Sequence, residues 1–268
     1  MNHHLSRWFC IVPLLAYFQC SYAGTLEPLD CVVEASMVSE VSSGASGVLE
    51  SIDTERGAFV KQGQVVAHLR AGVERAVVNL SRARAEFTAE VKAKQLSHQL
   101  ALRNFERVSG LYAKKMIAEQ EEDKTKTMAQ IAEFEWRMAQ EQQRLAALEL
   151  KRAEEILALR VLTSPVNGVV VDTLKAPGEY VEEQPVVKIA RIDPLYVEVL
   201  APLSYYGKVA VGAMAAITLE QPVGGHYDAK VIVVDPLIDA PSGTFGIRLK
   251  LPNAEHRIPA GLNCKVTF

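Results

Sequence analysis

The fold is decided by a repeat that reads Ser46-Gly-Val-Leu-Glu-Ser-Ile-Asp-Thr-Glu-Arg-Gly-Ala-Phe-Val60 and Asn167-Gly-Val-Val-Val-Asp-Thr-Leu-Lys-Ala-Pro-Gly-Glu-Tyr-Val181. The two segments align without gaps, and each predicts short strands around a turn. We predict structural turns at the four paired glycines, with positive φ at the second pair: Gly47 and Gly168, Gly57 and Gly178. Each half alone would expose an apolar sheet face, so the halves are expected to pack on each other.

The residues between the two halves predict a long helical hairpin. No proline occurs from Leu29 to Ser164, and Gly110 is the only glycine between Val73 and Asn167. Ala, Glu, Gln, Lys, Arg and Leu dominate this stretch, and all of them favour helices. We predict one arm over about 73–112, a reversal at Gly110 and 112–118, and a second arm over about 119–159. At 1.5 Å per residue, each arm is about 60 Å long.

Apolar residues in both arms follow the alternating spacing of three and four that is typical of an antiparallel coiled coil. The predicted seam of the first arm is Val73, Val77, Leu80, Phe87, Val91, Ala101, Phe105 and Val108. The predicted seam of the second arm is Met128, Ile131, Met138, Leu145, Ile156 and Leu159. Polar residues interrupt both seams, including Arg84, Lys94 and His98 in the first. The seam is therefore thin, and many charged residues face water or another subunit.

The first 23 residues predict an export signal. Arg7 supplies positive charge, an apolar run of about 11 residues follows it, and Ser21-Tyr22-Ala23 predicts cleavage after Ala23. The run is well short of the roughly 20 residues that span a bilayer. A retained anchor and lipidation at Cys20 are the alternatives.

The mature chain would keep two cysteines, Cys31 and Cys264. An oxidising compartment permits a disulfide between them, provided that their Cα atoms lie within about 7 Å. Two separately buried thiols are the alternative.

The residues after about Ile192 predict a small antiparallel barrel, because short β-branched runs alternate with proline and glycine. The strand candidates are residues 196–200, 215–219, 230–234, 245–251 and 264–268.

With the repeat, the hairpin and the barrel strands in this order, the chain resembles the periplasmic adaptor, or membrane fusion, proteins of bacterial efflux pumps and type I secretion systems. The match is carried by Gly57-x-x-Val60-Lys-x-Gly63 with Ser164-Pro165-x-x-Gly168, by the hairpin, and by the run from Val234-Asp235-Pro236 to Asn253. The resemblance implies an α+β fold: a split lipoyl-like β-sandwich (barrel-sandwich hybrid) with an inserted antiparallel coiled-coil hairpin, followed by a small antiparallel β-barrel. The implied domains are a signal peptide (1–23), a strand and first lipoyl half (24–71), the hairpin (72–160), a second lipoyl half (161–191) and the barrel (192–268).

The resemblance also implies a function. Such an adaptor lies in the periplasm beside the inner membrane and joins a transporter there, resistance–nodulation–division or ATP-driven, to an outer-membrane duct. It self-associates into a trimer or hexamer. The family's hairpin tip carries Arg, three residues, Leu, six residues and Ser, and it docks on the duct. Arg107, Leu111 and Ala118 stand at that spacing, with alanine in place of serine.

Other chemistry finds little support in the sequence. A net charge of −3 gives no indication of a nucleic-acid partner. No catalytic constellation is evident, so we expect neither an enzyme nor a cofactor. A lipoyl or biotinyl carrier needs a lysine at the turn that the hairpin replaces. His68, His98, His226 and His256 lack metal-ligand spacing, and Met116, Met128 and Met138 fit a helix seam better than a copper site. The remaining alternatives are a carrier domain and a coiled-coil scaffold without a transport role.

Overall fold

A computed structural model describes residues 27–268, so the predicted signal peptide and Cys20 lie outside the described residues. The chain is a mixed α/β protein with a long helical hairpin. It divides into two compact units. One contains residues 27–33, 197–251 and 262–268; the other contains residues 34–196 and 252–261. The start of the first strand therefore groups with the C-terminal unit, whereas the predicted domains place it with the first half of the repeat.

The unit that contains the repeat interleaves its two halves. Its complete strands are β2 (Gly47–Ile52), β3 (Phe59–Val60), β4 (Val65–Leu69), β5 (Val161–Thr163), β6 (Gly168–Thr173) and β7 (Tyr180–Val181). Two longer strands, β1 (Leu29–Ser42) and β8 (Pro185–Pro202), have residues in both units. β2 of the first half pairs with β7 of the second, and β3 of the first half pairs with β6. β4 also pairs with β5 across the hairpin. Residues from both halves form one core that includes Leu49, Val60, Val66, Leu162, Val170, Val181 and Ile189.

The four paired glycines serve two different purposes. Gly57 has a φ of +86° and Gly178 a φ of +94°, which is the left-handed region that favours glycine. The prediction of turns at Gly47 and Gly168 is wrong, because these residues begin strands β2 and β6. A Cβ on Gly168 would lie 2.3 Å from the carbonyl oxygen of Ala190. Glycine is therefore needed at positions 47 and 168 because another chain segment approaches closely, and not because of turn geometry.

The C-terminal unit consists of antiparallel strands with alternating burial. Its further strands are β9 (Met214–Leu219), β10 (His226–Asp239), β11 (Thr244–Leu251) and β12 (Asn263–Thr267), and a short 3-10 helix spans Leu203–Tyr205. The pairing order is β1-β12-β9-β10-β11-β8. Alternate residues of β9 and β11 are buried, as a strand with one face on a core requires. The core includes Ile217, Val231, Phe245, Ile247, Leu249 and Val266.

The hairpin consists of three helices: α1 (Gly72–Glu86), α2 (Ala89–Ala113) and α3 (Glu119–Ala158). The prediction of one continuous first arm is wrong, because Phe87 has extended backbone angles (φ −73°, ψ 95°) and separates α1 from α2. Phe87 and Thr88 are an aromatic and a β-branched residue, which lose side-chain freedom in a helix. Gly110 lies inside α2, so the reversal occupies only residues 114–118. Within residues 27–268, no helix has the length and apolar character needed to cross a membrane.

Candidate docking tip and hairpin surface

The seam of α3 is built from alanines. Its buried residues are Ala129, Ala132, Ala139 and Ala153, which follow heptad spacing. The predicted seam residues lie one position earlier and are exposed; Met138, for example, is 64% exposed. The prediction failed because it assigned the larger apolar side chains to the interface, whereas the arms pack through the smaller ones.

The break at Phe87 shifts the seam of the first arm by one residue. In α2 the partly buried residues include Val91, Ala101, Phe105 and Val108, as predicted. In α1, however, Val78 is buried while Val77 is 47% exposed. The prediction assumed an unbroken helix and therefore used one heptad register for both α1 and α2. It missed the one-residue shift between them.

Polar contacts also join the two arms along their length. They include Arg82 Nη2–Glu154 Oε1 (2.9 Å), Lys94 Nζ–Glu135 Oε2 (2.9 Å) and Ser109 Oγ–Glu122 Oε1 (2.8 Å). The ring of His98 also stacks on that of Trp136, with centroids 5.6 Å apart. Exposed ion pairs contribute only about 0–1 kcal/mol each. These contacts therefore help to fix the register of the arms more than they stabilise the hairpin.

The misassigned apolar residues lie on one side of the hairpin. In both α1 and α3, each of these exposed residues stands one position before a residue of the seam. In two antiparallel helices, the residues one position before the seam lie on the same side of the pair. A groove of about 550 Å³ supports this geometry, because Arg84 and Phe87 line it together with Gln142, Leu145 and Glu149 of α3. We call this surface the apolar side; its exposed residues are Val73, Val77, Leu80, Leu145, Ile156 and Leu159.

The tip of the hairpin closes α2 with a Schellman motif. The N–H of Met116 donates to the carbonyl of Leu111 (3.1 Å), and the N–H of Lys115 donates to that of Tyr112 (2.7 Å). Lys115 has a φ of +58°, at a position where glycine is usual. Met116 is 68% exposed and Leu111 is 36% exposed, so the end of the hairpin presents apolar surface.

The three predicted docking residues occupy the last part of α2 and the first residue before α3. Arg107 is exposed, and Leu111 follows it by about one turn. Ala118 is the N-cap residue of α3 and makes no side-chain cap hydrogen bond. The sequence analysis missed this role. A serine here would stand three residues before Glu121, which is the spacing of a capping box.

Cys31 and Cys264 face each other in the pairing of β1 with β12. Their Cα atoms are 4.9 Å apart and a disulfide joins their sulfur atoms. Both residues are buried.

The four histidines of the described residues 27–268 lie in separate environments. His68 Nε2 lies 3.0 Å from Asp53 Oδ2, and the ring of His256 packs on Phe59 at 4.7 Å. His226 Nδ1 lies 2.9 Å from the Thr218 hydroxyl. In the part of the chain that the structure describes, no group of three or more His, Cys, Asp or Glu side chains could hold a metal ion.

Comparisons with known proteins agree with this architecture. Residues 194–268 match the family described as "CusB-like, beta-barrel domain". The chain is 26% identical over 246 residues to the toluene efflux pump periplasmic linker protein TtgD and to the probable efflux pump periplasmic linker protein SepA, both from Pseudomonas putida. Each match covers 85% of this chain and 57% of the relative. The chain thus spans about half the length of the curated relatives it matches.

Solved structures share the fold. MacA from Actinobacillus actinomycetemcomitans superposes with a TM-score of 0.76 at 23% identity, covering 90% of this chain and 78% of MacA. The membrane fusion protein Spr0693 from Streptococcus pneumoniae R6 gives a TM-score of 0.63 at 13% identity, covering 91% of this chain and 99% of Spr0693. In sequence the chain is therefore similar to efflux pump periplasmic linker proteins, in fold it is similar to MacA and to the membrane fusion protein Spr0693, and its residues 194–268 match the CusB-like β-barrel family.

Proposed function

We propose that the protein is the periplasmic adaptor subunit of a tripartite efflux or secretion system. In this proposal it bridges an inner-membrane transporter, resistance–nodulation–division or ATP-driven, to an outer-membrane duct. It works in the periplasm beside the inner membrane, and its function is binding without catalysis or a cofactor. The printed names of its relatives TtgD and SepA, which are efflux pump periplasmic linkers, support this assignment.

We propose the following domains: residues 24–71 and 161–191 contribute the two halves of a lipoyl-like barrel-sandwich hybrid, residues 72–160 are the hairpin, and residues 192–268 are the barrel. The interleaved pairing of β2 with β7 and of β3 with β6 supports the first of these, because neither half has a complete core alone.

The observation that carries the proposal is the length and rooting of the hairpin. α3 has 40 residues and is therefore about 60 Å long. Its two roots lie side by side, because His68 of β4 pairs with Val161 of β5. A rigid arm of this length, anchored at one end and apolar at its tip, fits a protein that reaches a distant partner.

We propose that Arg107, Leu111 and Ala118 form the surface that docks on the duct. The exposure of the Arg107 and Leu111 side chains supports this assignment. An exposed guanidinium can bind a carboxylate or a carbonyl of the partner, and Leu111 adds apolar contact beside it.

The proposed self-association into a trimer or hexamer is supported by the apolar side. Exposed apolar residues that share one side of a protein favour an interaction surface there. The alanine seam buries little apolar area between the arms, so contact with a neighbouring copy would add the stabilisation that the seam does not supply.

The tip is tested with Arg107→Asp and Leu111→Ser in a strain whose only copy of the gene is the variant. Arg103→Asp, an equal charge change on exposed α2 surface, is the control for the first variant. The substrate panel is defined beforehand by deleting the gene and measuring sensitivity to drugs, dyes, detergents and metals, together with secreted products. We expect both tip variants to lose at least tenfold in export (~1.4 kcal/mol), with unchanged circular dichroism.

Normal export in both tip variants would remove the tip from the mechanism. A deletion strain without any change in sensitivity or secretion would instead support a scaffold without a transport role, and lipoate or biotin found on a lysine by mass spectrometry would support a carrier. Crosslinking from membranes, followed by identification of the captured proteins, shows which class of transporter is bound and whether the duct is captured with it.

A further inference from the structure

The root of the hairpin contains an ion pair that is much less exposed than the pairs farther along the arms. Arg160 follows α3, Glu74 lies in the first turn of α1, and Nη2 of the arginine is 2.6 Å from Oε1 of the glutamate. Each side chain is only 17% exposed. Arg82 and Glu154, which pair nearer the middle of the arms, are 47% and 48% exposed.

Arg160 joins four chain segments at this point. Besides Glu74 in α1, its Nη1 donates to the carbonyl of Ser46 (2.6 Å), just before β2. Its backbone carbonyl accepts from the N–H of Leu69 in β4 (2.8 Å). The end of α3, the start of α1 and two strands of the repeat therefore meet through one side chain and its backbone.

Gly47 makes room for this guanidinium. A Cβ at position 47 would lie 2.5 Å from Nη1 of Arg160, which is closer than real contacts allow. The lack of a side chain at Gly47, which begins a strand and does not form a turn, is explained by this contact.

Stability alone does not account for the arrangement. Burial of an ion pair costs desolvation energy, and an apolar pair of similar volume is often as stable or more stable. Nε of Arg160 is also buried without a hydrogen-bond partner among residues 27–268, which adds to the cost. The hydrogen bonds from Arg160 to Glu74 and Ser46 are directional, and an apolar pair would not fix the orientation of these segments in the same way.

We propose that Arg160 and Glu74 act as a root clamp, with Arg160 as the positioning residue that fixes the direction in which the hairpin leaves the strands. The functional meaning of the clamp rests on the proposed bridging role. Because α3 is about 60 Å long, a rotation of roughly 10° at the root moves the tip by about 10 Å. A loose root would therefore carry Arg107 and Leu111 away from a docking position.

The test measures a distance between the tip half of α3 and the strands in the purified protein. Spin labels are attached to cysteines introduced as Gln62→Cys and Lys126→Cys, both exposed positions, while Cys31 and Cys264 stay oxidised. We expect Arg160→Met to widen the distance distribution at least twofold. The matched control is Arg144→Met, which removes an exposed arginine that pairs with Glu141 on the same helix, and it should leave the width unchanged.

A second variant disturbs the clamp without removing charge. Gly47→Ala should displace the guanidinium and widen the distribution as Arg160→Met does, and the double variant should be no wider than Arg160→Met alone. Additive widening would overturn the clamp, because Gly47 would then act independently of Arg160. The clamp would also be overturned if a folded single variant, Arg160→Met or Gly47→Ala, gave a distance distribution as narrow as that of the parent protein. The distance measurement does not depend on export. A negative result would therefore overturn the clamp without contradicting the proposed adaptor function, which the export assay tests separately.

Discussion

Ala118→Ser is the most informative single change in this protein, because position 118 is both the N-cap of α3 and the third member of the proposed docking set. Ala118 makes no side-chain cap hydrogen bond. Glu121 stands three residues later, and its N–H donates to the backbone carbonyl of Ala118 (3.1 Å), so it lies close to position 118. Serine would accept a hydrogen bond from the N–H of Glu121, and the Glu121 carboxylate could accept one from the N–H of residue 118. The variant would complete a capping box where the parent chain has none.

The expected gain can be estimated from known capping energies. Replacing alanine with serine at an N-cap stabilises a helix by about 1 kcal/mol. That energy slows amide exchange through local opening by about fivefold. The assay is hydrogen exchange followed by mass spectrometry on peptides that cover residues 116–124. We expect slower exchange there, with unchanged exchange in peptides from β9 to β11.

Two control variants separate capping from docking. Ala118→Gly should give most of the gain, because glycine at an N-cap is only a few tenths of a kcal/mol worse than serine. Ala113→Ser makes the same chemical change at the last residue of α2, where no cap is needed, and should not slow exchange. If export improves with serine alone, the hydroxyl itself contacts the duct; if glycine gives the same improvement, the order of the tip is responsible. Unchanged or faster exchange at residues 118–121 in Ala118→Ser would refute the capping argument.

Other predictions concern stability. Gly168→Ala should lower the free energy of unfolding by about 3 kcal/mol, because its Cβ would lie 2.3 Å from the carbonyl oxygen of Ala190; Gly110→Ala, in open space within α2, should instead raise it by about 0.5–1 kcal/mol. Denaturant titration measures both, and an equal effect of the two alanines would contradict the close-approach argument. Reduction of the disulfide between Cys31 and Cys264 should lower stability by about 5 kcal/mol, since their sequence separation of 233 residues closes a long loop. Urea unfolding with and without reductant checks this, and Cys264→Ser should abolish the difference between the two conditions.

The sequence predicted the long helical hairpin and the shared core of the two repeat halves. The repeat, with Gly57 matching Gly178, implied two halves that share a core, and the absence of proline over more than 100 residues implied the hairpin between them. These features depend on local propensity and on periodicity, which are readable along the chain. The strands of the C-terminal unit were also predictable, because alternate residues of segments such as Phe245–Leu251 are apolar.

The tertiary structure alone decided which face of the hairpin is buried. Val77 and Val78 are adjacent and equally apolar, yet Val78 is buried and Val77 is exposed. The choice depends on a one-residue shift at Phe87 and on a preference for alanine in the seam, and neither follows from hydrophobic spacing. Arg160 shows the same limit: its sequence neighbours indicate a helix end, whereas its contacts with Glu74 and Ser46 come from segments 86 and 114 residues away. Periodicity determines that a helix has an apolar stripe, but only three-dimensional packing decides which stripe meets the partner helix and which remains exposed.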